Sequence, residues 1–183
     1  MIISGILSLV IVFFFYGIYV SLIKNKNNVK EAMSGVDVQL NKRYDLIPNM
    51  LKIASKFMEH EKEIFLAVTQ YRESAMKAQN LSEKFEADNK LVSAMHQFNV
   101  RAENYPELKS NEAMINAQSA IEEVEEHIAA ARRFYNSAVK EYKNAIEIFP
   151  SSLMAKMLGM GDIYPFYEAE EKVKERIDVN NFM

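Results

Sequence analysis

Three features of the sequence predict an all-α protein: an N-terminal transmembrane helix followed by an elongated antiparallel four-helix bundle. Residues 2–23 carry no charge at all. Beyond them, apolar residues recur at alternating spacings of three and four over most of the chain, the period of one buried helix face. Gly (5) and Pro (4) are scarce among the 183 residues, which disfavours long loops and many-stranded sheets. The expected organisation is a transmembrane anchor over 1–23, a helical bundle over 24–150 and a C-terminal segment over 151–183, made of a short apolar helix and a polar tail.

The anchor reads IISGILSLVIVFFFYGIYVSLI from Ile2 to Ile23. A run of about 20 apolar residues spans a bilayer as a helix. No basic residue precedes it, and its end (Tyr19, Val20, Leu22, Ile23) is no small-residue cleavage site, so a retained anchor is expected. Lys24, Lys26 and Lys30 follow at once, which predicts a single-pass protein of the cytoplasmic membrane with its N-terminus outside and its large domain in the cytoplasm. Gly17 and Ser21 form a small-xxx-small pair that would let two anchors approach closely, although small residues in a lipid-facing helix need no such role.

Four helices are expected after the anchor. Val29, Met33, Val36, Leu40, Tyr44 and Ile47 form the first seam, which can continue straight from the anchor and is expected to end at Pro48. Asp45 and Pro48 suit the start of a second helix, with Met50, Ala54, Phe57, Ile64, Val68, Tyr71 and Ala75 as its seam. That helix would be longer than the part of the first outside the membrane, so it must overhang, tilt or break early. Leu91, Met95, Phe98 and Ala102 mark the third, which stops at Tyr105-Pro106. The fourth runs from Met114 through Ala117, Ile121, Val124, Ile128, Ala131, Tyr135, Ala138, Tyr142 and Ala145 to Phe149, and Pro150 closes it. At 1.5 Å per residue it is roughly 50–60 Å long. Counting passes brings Phe149 back toward the membrane. The next stretch, SSLMAKMLGMGDIYPFY, carries only Lys156 and Asp162 as charges. It is expected to cap the bundle's open end, with the bilayer interface as the alternative for Leu153, Met154, Met157, Leu158, Tyr164 and Phe166. The polar tail after Tyr167 is expected to be partly helical, to Ile177.

The stretch from Asp37 to Asn49, DVQLNKRYDLIPN, resembles the signature of the bacterial LemA family. His60-Glu61, Arg72, Tyr105-Pro106 with Leu108-Lys109, the run IAAARRFYN from Ile128 to Asn136, and Phe149-Pro150 extend the resemblance in order. It covers nearly the whole soluble part. It implies a membrane-anchored helical bundle from a family without an established enzymatic activity or shared cofactor. Met33 stands where such proteins commonly carry tryptophan, and the segment after Pro150 looks individual.

Chemistry-bearing residues are few. The chain has no cysteine, so disulfides, thiol catalysis and thiolate metal sites are excluded. The net charge of −3 falls wholly on the residues beyond the anchor and gives no general reason to bind nucleic acid. Carboxylate-bridged metal bundles use Glu-x-x-His pairs. The residues three before His60, His96 and His127 are Phe57, Ser93 and Val124, so no metal site and no cofactor are expected. Glu61 occupies a seam position, where a carboxylate is costly unless paired. Either it makes a register-fixing ion pair, with Arg101, Arg132 or Arg133 as partner, or the seam drifts and exposes it. Lys42, Arg43, Asp45 and Asn49 cluster at the expected first turn, as hairpin capping or as a partner-binding surface. With no catalytic motif, the expected function is a non-enzymatic scaffold that self-assembles as a homo-oligomer or recruits other membrane or cytoplasmic proteins. The alternative is a monomeric regulatory adaptor, and the least favoured reading is a metal-binding or enzymatic bundle.

Overall fold

The computed structural model describes residues 2–168 and is all-α, with six helices and no strand among those residues. They are α1 (Ile2–Ala54), α2 (Lys62–Lys77), α3 (Leu81–Ala102), α4 (Pro106–Lys109), α5 (Glu112–Glu147) and α6 (Ser151–Met157). The expected polar tail to Ile177 lies outside the described residues. The described residues fall into two compact units: one joins residues 2–39 with His127–Phe166, the other joins Leu40–Glu126 with Tyr167 and Glu168.

Helix α1 is one helix of 53 residues, and its first part is long and apolar enough to cross a membrane. Between residues 2 and 21 no side chain is buried, and burial begins at Leu22. Val29, Ala32, Met33 and Val36 carry α1's buried face onward within the first unit. That unit also buries Ile128, Tyr135, Ala138, Val139, Tyr142 and Ile146 of α5 and Ala155 of α6.

The break expected at Pro48 does not occur there. Proline supplies no N–H to the carbonyl four residues back and normally stops a helix. Here that carbonyl belongs to Tyr44, and Arg72 Nε of α2 donates to it at 2.6 Å. The pyrrolidine ring faces solvent, so it displaces no core side chain. Helix α1 therefore runs on to Ala54, and Met50 and Ala54, assigned above to a second helix, are buried residues of the first. The chain turns at 55–61, where Phe57 N and Met58 N both donate to Ala54 O (2.9 and 3.0 Å) and Met58 is fully buried. With the turn moved, the second helix is the shorter one: α2 has 16 residues, so it need not overhang α1.

Helices α2 and α3 pack together as a hairpin across a three-residue connection. Asn80 caps α3 by accepting from Glu83 N (2.9 Å), while the Glu83 carboxylate accepts from Gln79 N (3.2 Å), a capping exchange that fixes where α3 starts. Phe65 meets Phe98 edge to face with centroids 5.9 Å apart. The stripe expected for α3 is buried in full at Leu91, Met95, Phe98 and Ala102. On α5 the large residues of the expected seam are buried from Met114 to Tyr142, Ala117 and Ala131 are half-buried, and Phe149 lies beyond the helix and is exposed.

If Arg72 replaces the bond that Pro48 forfeits, Arg72→Ala should destabilise the full-length, detergent-solubilised protein by about 1–3 kcal/mol. The cost should shrink in a Pro48→Ala background, where residue 48 regains its N–H. Equal denaturation shifts in both backgrounds would show that the two residues are uncoupled.

Candidate functional site

The second unit contains two buried charged residues among those described, Arg43 and Asp88. Both sit on apolar stripes. Arg43 lies between Leu40 and Ile47 on α1, and Asp88 lies between Phe85 and Leu91 on α3. Burying either charge alone would cost several kcal/mol, so the helices must bring them together. Arg43 Nη2 donates to Asp88 Oδ1, and Arg43 Nη1 donates to Glu125 Oε1 of α5 at 2.8 Å. Tyr44 Oη donates to Asp88 Oδ1 at 3.1 Å, and Tyr167 Oη donates to Asp88 Oδ2. The Tyr167 ring stacks on Phe85, with centroids 4.1 Å apart and planes within 4°. One carboxylate on α3 thus gathers α1 and the C-terminal segment, and Arg43 extends the connection to α5.

The electrostatics favour the charged pair. Burial alone would lower the Arg43 pKa, but Asp88 and Glu125 outweigh it and hold the guanidinium above its ordinary value. Burial, followed by the Asp88 charge, pushes the Tyr44 hydroxyl up, so it stays a donor. The Asp88 oxygens receive three donors from the protein's own side chains, which suits a fixed joint better than an open catalytic position. Open clefts lie elsewhere in this unit. One of about 680 Å³ at the α1–α2 turn is lined by Ser55, Met58, Glu59, His60, Lys62 and Phe65.

The sequence candidates are distributed differently from expectation. Lys42, Asp45 and Asn49 are exposed along one stripe of α1, inside the helix and not at a turn. Arg43 is no surface residue at all, because its position on the helix points it into the core. Glu61 is half-buried, at the N-cap of α2 and not in a seam, since the helix breaks before it. Its partners are Arg101 Nη1 at 2.6 Å and Tyr105 Oη at 3.4 Å. Of the three expected partners it is Arg101 that pairs with Glu61, and not Arg132 or Arg133. Because Arg101 is half exposed, the Glu61 pair contributes about 0–1 kcal/mol. Among the described residues no group of three His, Asp or Glu is placed to hold a metal ion. Gly17 and Ser21 lie on the exposed part of α1.

In the C-terminal segment two roles separate. Residues 161–166 line α5 in the first unit: Tyr142 Oη donates to Gly161 O (3.0 Å), Tyr135 Oη donates to Pro165 O (2.8 Å), and Tyr164 meets Tyr142 edge to face. Lys143 pairs with Asp162 at 2.9 Å and lies 4.6 Å from the Phe166 ring centre. Tyr164 is therefore half-buried on the helix, while Leu153, Met157 and Leu158 remain exposed. Glu125 stands in a run of glutamates that reads as a solvated face, yet it pairs with Arg43. Asp88 carries a sequence signal, a carboxylate within the α3 stripe, of the same kind as that of Glu61.

A model of the LemA family matches residues 32–181, a range that includes every residue of the Asp88 network. Protein LemA of Metamycoplasma hominis is 24% identical over 171 residues, an alignment covering 91% of this chain and 77% of that relative.

Removing the Asp88 carboxylate leaves Arg43 without its buried counter-ion, so Asp88→Ala should lose about 3–5 kcal/mol in denaturant titration. Replacing both partners, Arg43→Met with Asp88→Leu, should cost less than Asp88→Ala alone; a larger loss in the double variant contradicts the pairing. A second expectation concerns alkaline pH. Tyr44 and Tyr135 have folded-state pKa values raised above the ordinary 10.0, the first by burial and Asp88, the second by burial and Tyr164. A raised value stabilises the fold fully below about pH 10, and that contribution is lost as pH rises through the folded-state value. Thermal stability should therefore fall above pH 10, and Tyr44→Phe with Tyr135→Phe should flatten the decline. An unchanged profile in that double variant would count against this assignment.

Proposed function

We propose that this chain, which belongs to the LemA family, is a non-enzymatic scaffold anchored in the cytoplasmic membrane, its N-terminus outside and its helical domain in the cytoplasm. The carrying observation is α1. Its uncharged residues 2–21 present their side chains outward, and the same unbroken helix becomes a core element at Leu22. Such a length of exposed apolar helix is unfavourable in water and matches the thickness of a bilayer. Joining it to the core without a loop transmits the anchor's orientation directly to the packed domain. Lys24, Lys26 and Lys30 on one side, with no basic side chain before the apolar run, favour the stated orientation.

A structural role is supported by the Asp88 network, whose strongest polar groups are occupied by one another. Self-association is supported by Gly17 and Ser21. Nothing lies within 4 Å of a Cβ built at Gly17, so this face of the anchor is open to a second helix. The exposed stripe of Lys42, Asp45 and Asn49 favours a second reading, a monomeric adaptor that binds a cytoplasmic protein there.

Native mass measurement of the full-length protein in nanodiscs tests the choice. A discrete homo-oligomer that dissociates on Gly17→Leu with Ser21→Leu is expected; a monomer in both forms moves the function to the adaptor. The absence of cysteine makes the topology testable on the same protein. In intact cells an impermeant thiol reagent should label Ser4→Cys and spare Ser137→Cys, and the opposite pattern would reverse the orientation.

A further inference from the structure

An exposed apolar corner joins α5 to α6. Ile148, Phe149, Leu153, Met157 and Leu158 are all exposed, Phe149 at 78% and Met157 at 81%. From Ile148 to Gly161 the only charged residue is Lys156. Leu153 and Met157 are four apart and so share one face of α6, while Ala155 is buried against the unit. Contiguous apolar surface of this kind marks an interaction site.

The position of the corner within the first unit indicates what covers it. In this unit α1 extends as far as Gln39 and α5 begins at His127, so these two positions mark one end of the unit. The buried residues of α1 start at Leu22 and those of α5 stop at Ile146, which places Leu22 and Ile146 at the other end. Leu22 is completely covered, yet no residue before it is buried, so later residues of the unit supply its cover. The exposed apolar helix 2–21 leaves the unit at this same end. The corner beginning at Ile148 therefore lies at the end of the unit where the apolar helix leaves it. Lys24, Lys26 and Lys30 follow the apolar run in sequence and Lys156 lies within the corner, so basic residues that anionic headgroups attract accompany both apolar stretches.

We infer that the α5–α6 corner inserts into the headgroup and upper acyl region of the bilayer that α1 crosses, giving the domain a second membrane contact. The inference rests on the anchored reading of α1. The corner is too short to span a bilayer and has the composition of an interfacial element, with apolar side chains on one side and a lysine beside them. Two separated contacts would restrict tilting and spinning of the domain about its anchor, which a single helix leaves free. Meanwhile residues 161–166 stay on α5 through Tyr135, Tyr142 and Lys143, so the segment divides into a membrane-facing half and a half packed on protein.

The chain contains no tryptophan, so single-tryptophan variants report without background. Full-length Phe149→Trp, Met157→Trp, Phe14→Trp and Leu66→Trp would be reconstituted into anionic vesicles containing nitroxide-labelled lipids. Phe14 lies in the apolar run, and Leu66 is an exposed residue of α2 in the other unit. The expected result is blue-shifted emission at 149 and 157, quenched best by nitroxides high on the acyl chain. Position 14 should be quenched by deeper labels and position 66 by none. Quenching at 14 with 149 and 157 behaving like 66 would overturn the second contact while leaving the anchor intact. Absence of quenching at 14 as well would overturn the anchor and the inference together. Shielding of 149 and 157 from aqueous iodide without lipid quenching would assign the patch to a second copy of the chain and reject the bilayer.

Discussion

The Asp88 carboxylate is the constraint on which the second unit depends. Once an acid is placed in the middle of α3's apolar stripe, the fold is tolerable only if donors arrive from outside that helix. Arg43 and Tyr44 reach it from α1, and Tyr167 reaches it from the C-terminal segment. A one-residue slip of α1 would carry both of its donors away together. The network is weak evidence of stability, since desolvation offsets most of the attraction, but it discriminates strongly against wrong registers. That division of labour explains why residues so costly to bury stand among side chains as apolar as Leu40, Ile47 and Leu91.

Arg72 makes a related contribution nearby. By donating to Tyr44 O it supplies the partner that Pro48 cannot, and it acts on the same residue whose hydroxyl serves Asp88. The backbone of α1 and the side-chain network are thus coupled at Tyr44. Without the arginine, the Tyr44 carbonyl would lack a partner at the point where α1 passes Pro48. Glu61 has a milder function. Paired with Arg101 beside Tyr105 at the start of α2, it ties the α1–α2 turn to the end of α3.

The membrane reading joins these features to function. Helix α1 has no buried residue from 2 to 21 and is buried from Leu22, so the apolar run joins the packed residues without a loop. What the anchor does, by association or by orientation, would then be felt directly by the packed helices. On the proposed reading, the exposed corner beside α6 would hold the same end of the first unit against the bilayer.

The sequence by itself determined the helical class, the apolar run, the stripes of α3 and α5 and the resemblance carried by DVQLNKRYDLIPN. All of these are local or periodic properties, readable from neighbours a few residues apart. It also signalled that a seam carboxylate needs a partner, but the same rule applied to Glu61 and Asp88 alike, and spacing did not say which was buried. Only the tertiary structure decided that. The partners of Asp88 come from 44 and 79 residues away in sequence, and the donor that carries α1 past Pro48 comes from 28 residues beyond the carbonyl it serves. Whether proline ends a helix, or a charge belongs to the surface, depends on groups that no local window contains. For that reason Arg43, expected at a polar turn, is instead buried within the second unit.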